Sequence, residues 1–258
     1  MNFDALDKKM RSFEKSLDRT IPLGTYIIAR LDGHGFTRLT KKEWNLEKPF
    51  DLKFHVAMKE TLSHLMNCGF RVIYGYTQSD EISLLFHLDD ATFGRKERKL
   101  ISILASEASV AFSAKSGYSA VFDCRLIPLP DKDCVIDYFR WRMEDSHRNS
   151  LNSHCYWLLR KNGMNATKSQ EHISGISNTK KLELLHSNGI IYDNLPSWQR
   201  FWIGMYFTNS TKEAFNPKTN EPTFCIRRVL HHENELPIGE EYSTLILDIL
   251  NKNDNPDK

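Results

Sequence analysis

The chain has 258 residues, 40% of them hydrophobic and 26% charged, with a formal charge of +2. These proportions are those of a soluble globular protein, enough for one large domain or one domain with a sizeable extension. No apolar run is long enough to span a bilayer, and the near-neutral balance leaves any nucleic-acid contact to a local basic surface. Met1 to Asp18 alternates acidic and basic residues, unlike a signal or transit peptide. Within it Phe3, Leu6, Met10, Phe13 and Leu17 recur at helical spacing, so Met1 to Leu17 is expected to be a helix. Thr25 to Leu31 is a β-branched and aromatic run and reads as a buried strand, broken by Asp32-Gly33-His34-Gly35. Pro49 and Asp51 open a helix to about Asn67, with Gly69 beyond its end. Phe70 to Tyr76 and Glu81 to Leu88 are two strands of a hairpin turned by Thr77-Gln78-Ser79-Asp80. Arg95 to Ser113 is a helix with a basic start, and Phe122 to Leu129 a fourth strand. A long helix follows, from Asp133 to about Arg160, ended by Asn162-Gly163. Two shorter helices are expected over Asn165–His172 and Asn178–Leu185. Tyr206-Phe207 and Phe224 to Leu230 suggest a late hairpin, Glu240 to Leu250 a closing helix, and Asn251 to Lys258 a disordered tail.

The order is β-α-β-β-α-β, a ferredoxin-like split βαβ unit in an α+β chain. The expected division is residues 1–132 for that unit and 133–258 for a mainly helical extension. A right-handed crossover makes the first two strands parallel, and the third returns antiparallel between them. The carboxyl end of the first strand and the hairpin tip then share one edge, which brings Asp32 and Asp80 together. Paired carboxylates on neighbouring strand ends suit two magnesium ions managing nucleotide phosphates, and Gly33 can offer its carbonyl at close approach. Either dipeptide, Asp32-Gly33 or Ser79-Asp80, is also an ordinary turn former.

Charge around a triphosphate must be met by cations, and Arg30, Lys48, Lys96 and Lys99 are the candidates. Gly33-His34-Gly35-Phe36 can present backbone N–H groups to phosphate oxygens. The basic start at Arg95 to Lys99 reads equally as a solvated helix face, although cations at a helix N-terminus call for an anion. Trp141 to Asn152 is dense in hydrogen-bonding groups; on physics alone it reads as a satisfied network between helices. Five cysteines, Cys68, Cys124, Cys134, Cys155 and Cys225, include no C-x-x-C pair. Structural zinc and a disulfide framework are poor readings, and a reducing, cytoplasmic setting is expected.

These motifs resemble the tRNA-His guanylyltransferase superfamily and, within it, the Thg1-like proteins. The family pattern R-x-D-G-x-x-F-x-R is matched by Arg30, Asp32, Gly33, Phe36 and Arg38, and further likeness lies at Tyr76–Phe86, Phe122–Arg125 and Tyr138–Trp157. The resemblance implies a polymerase-palm-like fold and template-dependent nucleotide addition to tRNA 5′ ends in the 3′-5′ direction. It implies two Mg2+ ions on Asp32, the Gly33 carbonyl and Asp80, with Glu81 as the acidic residue that follows among the catalytic group. It implies GTP, ATP and other NTPs as substrates, held by Asp32, Gly33, His34, Gly35, Phe36, Thr37, Lys48, Ser79, Asp80, Lys96 and Lys99. RNA is assigned to Arg30, His147, Arg148 and Asn149, and the expected assembly is a homotetramer.

Some stretches depart from the family pattern. H-I-N-N-L-Y-N becomes His147-Arg148-Asn149-Ser150-Leu151-Asn152-Ser153, and R-K-G becomes Arg200-Phe201-Trp202. They favour the type that restores missing 5′ nucleotides over dedicated guanosine addition. Two other readings stay open on sequence: a palm-type nucleotide cyclase, and a non-catalytic RNA-binding module of the same topology.

Overall fold

The computed structural model describes residues 2–216, 218 and 221–254. Helix α1 (Phe3–Glu14) is capped by Asn2, whose side chain accepts from the Ala5 N–H at 3.0 Å, and it buries none of its residues. Strand β1 (Tyr26–His34) leads into a short helix α2 (Phe36–Arg38) and a π-helical turn over Leu39–Glu43. Helix α3 (Leu52–Met66) starts at Asp51, which accepts from the Lys53 and Glu47 amides. Strands β2 (Val72–Gln78) and β3 (Glu81–Phe86) flank the two-residue turn Ser79-Asp80, where Ser79 takes φ 50°. Helix α4 (Glu97–Ser116) ends on Gly117 at φ 77°, and β4 (Val121–Leu129) follows.

The sheet runs β4-β1-β3-β2, with β3 antiparallel to both β1 and β2, as the split βαβ reading requires. Both of its faces are covered. On one side lie α3 and α4; a Cβ on Gly75 would meet Leu62 and Met66 of α3. On the other lie α5 (Lys132–Lys161) and α9 (Glu240–Asp254). There the Tyr74 hydroxyl meets that of Tyr242 at 2.9 Å, and Tyr138 meets Ser83 at 3.0 Å. All of β2 is buried.

Helices α6 (Ala166–Ser174), α7 (Asn178–Ser187) and α8 (Ser197–Arg200) follow α5, and α6 and α7 close a second apolar cluster around Leu151, Cys155 and Leu159. The late hairpin is present and longer than its apolar residues suggested: β5 (Ile203–Asn216) and β6 (Glu221–Glu233). It joins the main sheet, because Ile203 to Tyr206 pair with Thr77 to Tyr74 of β2. The expected tail differs too: residues 251–254 are the last turn of α9, and 255–258 lie outside the described residues.

One helix start is corrected. Arg95 lies before α4, in a left-handed kink at φ 56°, and its guanidinium is buried. It donates to the carbonyls of Leu88 and Thr25, so it ties the segment just after β3 to the residue that precedes β1. Among the described residues no helix is long and apolar enough to cross a membrane.

Candidate active site

Antiparallel pairing sets Asp32 opposite Glu81, and the Gly33 N–H donates to the Asp80 carbonyl at 3.1 Å. The end of β1 and the hairpin tip are therefore one backbone unit. Gly33 has no room for a side chain, since a Cβ there would lie 2.4 Å from the Phe36 ring. Phe36 is itself buried against Phe54, Phe112 and Phe122, which anchors the loop from below. His34 and Gly35 are exposed.

Asp80 is the most perturbed carboxylate of this edge. Burial is the main cause that pushes its pKa from 3.8 to about 6, and the charges of Asp32 and Glu81 push the same way. Hydrogen bonds from its own amide and from the Ser79 side chain act in the opposite direction. Among the described residues no lysine or arginine pairs with it.

Glu81 is different. Its carboxylate takes Arg30 at 2.6 Å on one oxygen and Arg142 on the other. Arg142, with a side chain only 4% exposed, also reaches Asp145 at 3.4 Å, and Asp145 in turn holds Arg148 and Asn149. Arg30 lies 3.6 Å from Asp32. Three residues expected to meet RNA are thus engaged within the protein: Arg30, Arg148 and Asn149. The fourth, His147, stacks on Phe201 with ring centroids 5.2 Å apart, and burial lowers its pKa.

Two cavities meet at Asp80. One, of about 390 Å³, is lined by Phe36, Thr37, Lys41, Lys48, Ser79 and Asp80, with Trp157 and Trp202 in its wall. Lys48 donates to the Thr40 carbonyl at 3.1 Å, and burial and the Lys41 charge lower its pKa. The other, of about 380 Å³, opens on the α5 side toward Gln78, Asp145, Asn149, Asn152 and Ser153. Phe50, Ser79, Asp80, Ser153 and Trp202 belong to both walls. Sequence reading missed Phe50, Trp157 and Trp202, for which no local signal distinguishes a site wall from core. Trp202 sits at φ 62°, a left-handed conformation, where the family pattern has glycine.

Lys96 and Lys99 do not join this site within one chain. They start α4 where β3 ends, at the end of the sheet opposite the hairpin tip. Lys96 and Arg98 there pair with Asp18, which is the anion that the helix start calls for. These two contacts draw the Asp18 pKa down to about 2.

Among the described residues no group of three or more His, Cys, Asp and Glu side chains is arranged to hold a metal. Two carboxylates and a glycine carbonyl nonetheless match what magnesium takes from protein when phosphates and water supply the rest. The desolvated, cation-free carboxyl of Asp80 beside Asp32 fits that use.

Comparison with known proteins bears on the chain as a whole. The model of the tRNAHis guanylyltransferase family matches residues 7–130, and that of the Thg1 C-terminal domain matches residues 133–243. The tRNA(His) guanylyltransferase of Schizosaccharomyces pombe is 33% identical over 199 residues, which cover 72% of this chain and 74% of that protein. A solved bacterial tRNA(His) guanylyltransferase (Thg1)-like protein in complex with GTP aligns with a TM-score of 0.72 at 25% identity, over 95% of this chain and 99% of that one. The crystal structure of the Saccharomyces cerevisiae tRNA(His) guanylyltransferase aligns with a TM-score of 0.70 at 26% identity, over 76% and 90% of the two chains. Two family models in succession, a relative matched over most of its length and a shared fold together show that this chain belongs to the tRNA(His) guanylyltransferase (Thg1) family.

Proposed function

We propose that this chain is a tRNA nucleotidyltransferase that adds NTPs to tRNA 5′ ends in the 3′-5′ direction, guided by the opposite strand. The observation that carries this reading is the place of Asp80. It stands beside Asp32 and between a cavity whose wall holds Lys41 and Lys48 together with Glu47 and Asp51, and one lined by amides, hydroxyls and the carboxylates of Glu81 and Asp145. An incoming triphosphate suits the first, where Lys41 and Lys48 meet its charge. A 5′ end with its base edges suits the second, where the buried Asn152 Oδ1 has no partner among the described residues and can accept a hydrogen bond. Membership of the family, and the GTP bound by the bacterial Thg1-like neighbour, support the same substrates here.

Asp32, Asp80 and the Gly33 carbonyl would hold Mg2+, which when bound lowers the pKa of an attacking hydroxyl and offsets phosphate charge. Glu81 acts as a positioning residue, because both of its oxygens are committed to arginines. Lys96 and Lys99 could serve this site only from a second copy of the chain, which the proposed homotetramer would supply. Five free cysteines fit a cytoplasmic setting. The RNA-binding-module alternative needs an exposed strand face, and the helices on both sides of the sheet leave none at β2.

The test is extension of a 5′-truncated tRNA with labelled NTPs and systematic changes in the opposing strand. Asp80→Ala should lower addition by more than about 100-fold while the circular dichroism spectrum is kept. Near-normal addition by that variant, or addition indifferent to the opposing base, would overturn the reading. Cyclic product from GTP or ATP without RNA would favour the cyclase.

A further inference from the structure

Helix α5 passes the site along its length, and a third cavity opens beyond the two that meet at Asp80. This outer cavity, of about 450 Å³, is lined by Glu47, Lys48, Trp157, Arg160 and Lys161. Ser153 belongs to both inner cavities, and Trp157 to the central and the outer one. Asn149, Ser153, Trp157 and Lys161 are four residues apart in turn, so each neighbours the last on a stripe that winds about 40° per step around α5. At the helical rise they cover about 18 Å. Neighbouring openings share wall residues, so the three follow one winding stripe along the helix.

The chemistry changes along that path. Next to Asp80 it is carboxylate, amide and hydroxyl. At the far end it is an indole with cations around it: the Lys48 ammonium lies 5.9 Å from the Trp157 ring centroid, and Arg160 and Lys161 complete the wall. Glu47 is the one acid among the lining residues. An aromatic face flanked by cations is how proteins hold a single nucleic-acid strand without reading its sequence. A free nucleotide has no use for a second basic cavity on the far side of Trp157, whereas a strand that ends at Asp80 must lead somewhere.

We infer that the outer cavity is the path of an RNA strand, with a base stacked on Trp157 and its phosphates met by Arg160 and Lys161. This rests on the tRNA reading above, and it adds Arg160 and Lys161, which no motif picks out. None of the residues assigned to RNA by sequence lines the outer cavity.

Direct binding of tRNA to the full chain, measured over a series of salt concentrations, tests the inference without relying on catalysis. The double variant Arg160→Gln/Lys161→Gln changes one partly exposed and one exposed side chain at the end of the helix, at the cost of the bond from Arg160 to the Met164 carbonyl. It should weaken tRNA binding about tenfold at 0.1 M salt. It should also reduce the slope of log K against log salt by about 1.4, the value for two contacts to a single strand. The KM for NTP should stay within twofold. Trp157→Leu should weaken tRNA binding about tenfold with the slope unchanged, since stacking carries no counterion release. Unaltered affinity and slope in the double variant would overturn this inference and leave the tRNA reading standing. No binding of tRNA by the wild-type chain would overturn both. Competition for the surface by polyglutamate, with no competition by single-stranded RNA, would reassign it to an acidic protein partner and also overturn the inference.

Discussion

Replacing Asp80 by Asn should make the metal-free protein more stable and inactive at once. The folded protein holds this carboxyl at a pKa of about 6, against 3.8 for the unfolded chain, chiefly because burial penalises its charged form. Between those two values the native state binds the extra proton, so stability falls as pH rises. Each tenfold change in the equilibrium is worth about 1.4 kcal/mol. The penalty is therefore about 3 kcal/mol at pH 8, about half of that at pH 5, and absent well below pH 4. Asn carries no charge to desolvate and keeps the shape, so Asp80→Asn recovers that amount. For a chain of this size a gain of 1 kcal/mol raises Tm by about 2–4 °C. The assay is thermal and urea unfolding of both proteins in EDTA at pH 5 and pH 8. The expected result is a Tm higher by about 6–12 °C at pH 8 and a smaller difference at pH 5. Added Mg2+ should then stabilise wild type and leave the variant unmoved. A variant less stable than wild type at pH 8, or a difference independent of pH, would refute the argument that Asp80 is a desolvated carboxylate.

Glu81→Gln should cost about 3 kcal/mol in urea unfolding, because it strips a buried arginine, Arg142, of its main partner; a loss below 1 kcal/mol would contradict that account. Gly33→Ala should cost about 1–3 kcal/mol, since the added methyl meets the Phe36 ring. It should also lower addition, read by tRNA extension, through displacement of Asp32. If Lys99 serves the site from a second copy, then Lys99→Ala and Asp80→Ala proteins, each inactive alone, should regain activity on mixing and co-refolding.

The pairing of Asp32 with Asp80 was legible because it follows from element order alone. A first strand, a crossover and a returning hairpin leave a single edge for both. The same topology sends the start of α4 to the opposite end of the sheet, yet the charge pattern of Lys96 and Lys99 points toward phosphate. That pattern has two solutions, a bound anion or a nearby carboxylate, and a sequence window around residue 97 does not include Asp18. Arg95 misleads for a related reason: it looks like one more surface cation until the carbonyls of Leu88 and the distant Thr25 are seen to receive it. The union of β5 with β2 is a pairing between segments far apart in sequence, and no local periodicity carries it. Trp202 is the least legible of all. A tryptophan before a strand reads as core; the family pattern sets it against a glycine, and its left-handed backbone shows why a glycine would be at ease there.

The chain of partners from Arg30 through Glu81 and Arg142 to Asp145 has a mechanical consequence. One carboxylate clasps a sheet strand to the helix along which the groove runs. Arg142 of α5 joins Glu81, the residue directly after the hairpin turn, with no loop between them. The position of α5 against the sheet and the position of the hairpin tip are thus held by the same three ion pairs.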